Sequence, residues 1–138
     1  LAGFELSSER IATALDSGDP EDEHSCFSDQ THNDIRANFN GIKNIYLGIN
    51  SKGERFSPSV SDLVAESNPS LNASIISKLK EVSNNIEDIT VPFDKMLLES
   101  NDGPGRIAAE KTVNNLLALA ENFKKAGKGL NWQVIISE

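Results

Sequence analysis

The sequence predicts an all-α fold, an antiparallel four-helix bundle-like domain. Three observations carry that reading. Apolar residues recur every three or four positions along four long segments. Capping and breaking residues cluster where those segments begin and end. No two segments alternate with period two in a way that would pair them as strands.

The first helix is predicted from Phe4, Ser8, Ile11 and Leu15, spaced four, three, four, with Leu1 one turn earlier on the same face. Gly18 can take the left-handed conformation that ends a helix. Residues 19–30 read as an acidic, turn-rich loop. The second helix carries a seam of Ile35, Phe39, Ile42, Tyr46 and Ile49, stepping four, three, four, three. Thr31 with Asp34 resembles a capping box at its start, and Gly48 lies near its end. A polar loop over 50–58 leads to a short helix over about 59–66. Asn68 and Pro69 signal the next start, a cap followed by proline at the first helical position. Leu71, Ile75, Leu79, Val82, Ile86, Ile89, Phe93 and Met96 then predict one helix to about Glu99, bent at Pro92. After Gly103-Pro104-Gly105, the spacing of Ala109, Val113, Leu116, Ala120 and Phe123 marks the fourth long helix. Lys124, Lys125 and Lys128 suit its C-terminal turn, and Gly127 and Gly129 are expected to stop it. The tail 130–138 is apolar and β-branched, an extended segment without a partner strand.

A chain of 138 residues suits a single domain. It is long enough to bury a core without disulfides or metal. The net charge is −8, and it is unevenly placed. Six acids lie between Asp16 and Asp29 (Asp16, Asp19, Glu21, Asp22, Glu23, Asp29), with no Lys or Arg among them. An acidic chain without a basic stripe is a poor nucleic-acid binder. No apolar run approaches the ~20 residues that span a bilayer. Cys26 is the only cysteine, so no disulfide forms within the chain.

Chemistry-bearing side chains concentrate between Glu21 and Asp34. Both histidines and the cysteine are there. His32 extends the second helix's seam backwards, which points it along the core face at an open end of the bundle, flanked by Asp29 and Asp34. His24 sits in the loop beside three acids. Carboxylates and imidazoles together suit Fe, Zn or Mn, so Glu23, His24, Asp29 and His32 are candidate metal ligands. The same residues admit structural readings. A histidine at a helix start packs or caps; Asp29 and Asp34 offset a helix dipole; Glu21, Asp22 and Glu23 form a solvated face. Cys26 beside Phe27 reads as a small buried hydrophobe. No His-Glu-x-x-His pattern or structural-zinc spacing is present. Ser25 or Ser28 with a histidine could form a nucleophile–base pair only if three-dimensional geometry arranged one.

Glu21-Asp22-Glu23-His24-Ser25-Cys26-Phe27-Ser28-Asp29-Gln30-Thr31-His32, followed by Asn40-Gly41-Ile42-Lys43-Asn44-Ile45-Tyr46-Leu47-Gly48, resembles the imelysin family of bacterial iron-regulated proteins. The opening Ala2-Gly3-Phe4-Glu5-Leu6 and Glu9-Arg10 are similar to that family's preceding helix. The resemblance is strongest over the first fifty residues. It implies an all-helical protein of two bundle-like halves, periplasmic or at the cell surface, and often lipid-anchored through an N-terminus that this sequence lacks. It also implies a link to iron uptake, with iron or another divalent metal as the ion concerned. The family's Gly-x-His-x-x-Glu motif is absent, because neither His24 nor His32 has Glu three residues later. The resemblance is therefore to a C-terminal half, one half of a two-bundle protein, whose partners are its own N-terminal half and iron-uptake components. The loop positions it carries over are Glu23, His24, Ser25, Cys26, Phe27, Ser28, Asp29, Thr31 and His32. The implied function is binding of a metal or ligand between the halves. The alternative is a metallopeptidase with this half lining the cleft. A third reading is an interaction module whose acidic loop meets a basic partner. A half of a larger protein is also expected to show an apolar patch.

Overall fold

A computed structural model describes residues 1–133. The final five residues, and most of the extended tail expected there, lie outside the described region. All regular elements among the described residues are helical; the one strand-like feature is an isolated bridge between Ile49 and Arg55.

The chain opens with a π-helix, Ala2–Ala12, running directly into α1, Thr13–Ser17. In a π-helix the backbone bonds run five residues apart, as from Leu6 N–H to Leu1 C=O at 2.8 Å. Side chains reinforce the wide turns: Ser7 donates to Gly3 C=O, and Thr13 to Ser8 C=O at 3.1 Å. This winding corrects the expected face. Ala2, Leu6, Ser7, Ile11, Ala14 and Leu15 are buried, whereas Phe4 and Ser8 are only half-buried. Steps of four and five now align, not three and four. Gly18 ends α1 at φ 67°, as its placement suggested.

A 3-10 turn, Pro20–Asp22, is capped by Asp19, whose carboxylate accepts from Glu21 N–H at 3.0 Å. The helix α2, Thr31–Leu47, buries Thr31, Ile35, Phe39 and Tyr46, with Ile42 packed alongside. The expected Thr31–Asp34 capping box does not form. The cap position is Gln30, without a side-chain bond, because Thr31 and Asp34 are both committed to Ser25. Gly48 stops α2 at φ 69°, and there a Cβ would lie 2.7 Å from that of Ser59. A capping box appears instead at α3, Val60–Ser67, between Ser59 and Asp62.

Asn68 caps α4, Pro69–Glu87, by accepting from Leu71 N–H at 3.0 Å. Ile75, Leu79, Val82 and Ile86 line its buried face. The single bent helix predicted to Glu99 is in fact two. The chain leaves the helix at Asp88 and resumes as α5, Phe93–Leu97. Pro92 has no N–H to offer Asp88, and it pushes the preceding residue towards extended geometry. Ile89, Phe93 and Met96 stay buried across the break, so the apolar pattern survives while the helix does not. The long α6, Pro104–Gly129, ends two residues beyond Gly127, which is buried inside it.

The helix α6 is central, packed chiefly on the π-helix and on α4. α2 closes the core from another side, against the π-helix, α3 and α4. Small residues on α6 (Ala108, Ala109, Thr112, Ala120) sit among Phe39, Phe93, Leu6 and Ile75 in the buried set. This packing fixes the start of α2, and with it the 19–30 loop.

Candidate functional site

The loop is folded back on itself by hydrogen bonds. Ser25 N–H donates to Thr31 Oγ1 at 2.9 Å, and the Ser25 hydroxyl donates to Asp34. Ser28 closes a tight turn, its N–H and hydroxyl both donating to Ser25 C=O at 3.0 and 3.3 Å. Asp29 takes a left-handed backbone, φ 52°, at the entry to α2. These bonds assign Ser25 and Thr31 to ordering the loop. Ser25 gives its proton to a carboxylate rather than to a histidine, so a serine–histidine nucleophile pair is not the arrangement here.

Glu23 is the unexpected member. Read as part of a solvated face, it is only 5 % exposed, and its Oε2 has no partner. Burial pushes its carboxyl above the usual glutamate range. A hydrogen bond from Thr31 pulls the other way, Asp94 and Asp29 raise it further, and His32 lowers it. His32 is half-buried at the start of α2, and its Nδ1 is buried without a partner. Asp94, in the first turn of α5, also has a buried unpartnered oxygen, Oδ1. Three of the four such atoms found among the described residues thus belong to Glu23 and to two groups, His32 and Asp94, whose charges act on it.

The remaining predicted residues separate. His24 Nδ1 meets Arg10 Nη1 of the π-helix. Cys26 is a free, half-buried thiol, not the buried hydrophobe expected. Its neighbour Phe27 is completely exposed, and Ser28 and Asp29 are exposed beside it. Asp94 and Arg10 were not among the predicted site residues. Neither carries a local signal: each reaches the loop only through packing of distant segments. The Pro92 break, which starts α5 just before Asp94, was the one available hint.

The donor types suit iron or zinc. Yet no group of three or more His, Cys, Asp or Glu among the described residues is arranged to hold a metal ion. The described residues therefore offer carboxylate and imidazole donors without a three-ligand group. No described helix is long and apolar enough to cross a membrane. At the opposite end of α2 lies an apolar groove of about 320 Å³, lined by Ile42, Ile45, Tyr46, Phe123 and Trp132 among others.

Compared with known families, residues 4–123 match the model described as imelysin, peptidase M75, a span that takes in most of the chain. No curated protein sequence matches it.

Proposed function

The chain belongs to the imelysin family, and on that footing we propose that it works outside the cytoplasm in bacterial iron uptake. It binds a metal or ligand at the face of its 23–32 loop. In this reading the chain is one helical domain, a four-helix bundle-like half, and a companion N-terminal half covers the loop. Glu23, Asp29 and His32 supply acceptor atoms, while Ser25, Ser28 and Thr31 hold the loop in shape. Iron is the cargo. Because the described residues form no three-ligand group, the companion half supplies the remaining ligands. The exposed Phe27 and the apolar groove are surfaces such a half would cover.

The observation that carries this reading is the buried Glu23 with an unpartnered oxygen, acted on electrostatically by His32 and Asp94, each of which also has an unpartnered buried atom. Leaving buried polar groups unsatisfied costs stability, and a ligand-binding role accounts for the cost. Isothermal calorimetry with iron and zinc on the full-length protein, and then on His32→Ala, tests it. The expected result is binding that weakens in the variant. Equal binding in both, or none in either, rejects the metal version.

The family description itself names a peptidase, which keeps the second reading in view: a metallopeptidase in which this loop lines the cleft. That reading requires chelator-sensitive proteolysis by the full-length protein. Intact peptides after incubation with every divalent metal would reject it.

A further inference from the structure

We propose that Arg10 is a positioning residue that fixes the tautomer of His24, leaving His24 a hydrogen-bond donor and not a metal ligand. This rests on the reading that the loop lines a binding site.

Arg10 lies in the π-helix. Arg10 Nε meets Glu5 Oε2 at 3.3 Å. These residues are five apart, the spacing that a π-helix stacks. In an α-helix, with 3.6 residues per turn, they would point about 140° apart. The wide winding thus holds the guanidinium in place, and its Nη1 meets His24 Nδ1 from fourteen positions away in sequence.

A guanidinium carries five donor hydrogens and no acceptor, and it stays charged. His24 Nδ1 must therefore present its lone pair. A hydrogen there would set donor against donor. The ring's single hydrogen is left on Nε2. A metal needs a free ring lone pair. At Nδ1 the lone pair is taken by Arg10, and at Nε2 a hydrogen occupies it. What His24 has left to offer is an N–H, and its complement is a carbonyl or carboxylate oxygen. His32 differs: its Nδ1 has no partner. Of the two histidines, only His32 is left as a metal ligand.

Nitrogen-15 spectra of the histidine rings in the full chain test this, for wild type, Arg10→Lys and Arg10→Met, with and without zinc. In wild type, His24 should show an unprotonated Nδ1 and a protonated Nε2. Arg10→Lys, which keeps a cationic donor, should retain that tautomer. Arg10→Met should give an averaged tautomer signal. Zinc should leave His24 unmoved in wild type and shift it in Arg10→Met. A protonated Nδ1 on His24 in wild type would overturn the proposal. So would zinc shifting His24 equally in wild type and Arg10→Met. The wild-type tautomer is read without any variant, so a misfolded Arg10→Met cannot remove the test. Zinc that moves neither histidine in any of these proteins counts against the metal-binding reading alone.

Discussion

The two ends of α2 are made of opposite materials. At its N-terminal end a polar loop is drawn back onto the helix, burying Glu23 and leaving acceptor atoms of Glu23, His32 and Asp94 without partners. At its C-terminal end, about 25 Å away along 17 residues, the surface is an apolar groove with Ile45 and Leu1 largely exposed. The Tyr46 hydroxyl in that groove's wall is satisfied, donating to Asn72 Oδ1 at 2.7 Å. Burying an unsatisfied carboxylate costs far more than exposing a few apolar side chains. The polar end is therefore where this fold gives up stability.

The seam joining the two ends should be the most sensitive part. Phe39 is fully buried midway along α2, and Phe39→Ala should cost about 3–5 kcal/mol in urea unfolding. A much smaller loss would mean that the two ends are not coupled through a packed core.

The next effect separates the ends by pH. The folded Glu23 carboxyl holds its proton more tightly than the unfolded one. Its contribution to stability is complete below the ordinary glutamate value and is lost as pH rises through the raised one. Glu23→Gln should therefore match wild type in melting temperature under acid conditions and exceed it at neutral pH. A neutral-pH melting temperature below that of wild type would show that the charged carboxylate is satisfied after all.

At the apolar end, Tyr46→Phe should cost about 1 kcal/mol through the lost bond to Asn72. Burial also pushes the Tyr46 hydroxyl up to about 12. It is the only tyrosine, so near-ultraviolet absorbance should report that single ionisation cleanly. A midpoint near the ordinary value of about 10 would mean that the groove wall is wet. The smallest effect belongs to the surface between the ends. The Arg36–Glu87 pair, 3.3 Å apart and open to solvent, should be worth less than about 0.5 kcal/mol in a double-mutant cycle.

The helices were legible because apolar spacing is a local property, and capping at Asn68 is equally local. The opening helix was legible only as a helix. The same segment holds a four-three set through Phe4 and Ser8 and a four-five set through Ala2, Leu6 and Ser7, and the second set is the buried one. Pro92 announced a disturbance, but whether a proline bends or breaks a helix depends on what else the chain can bury there. Within the candidate site, the density of ionisable groups between Glu21 and Asp34 singled out the segment. The inner arrangement was not readable. Glu23 looked like any exposed acid until the loop folded over it. Arg10 and Asp94 reach the loop across turns of chain that no local pattern connects.

We hold that the face above Glu23 and His32 receives a metal or ligand completed by a second half. A crystal structure of the full-length protein grown with iron, with anomalous density located, decides it. Density is expected within coordination distance of His32, with further ligands from the other half and none from His24. Density confined to the other half, or bound at His24, would contradict it.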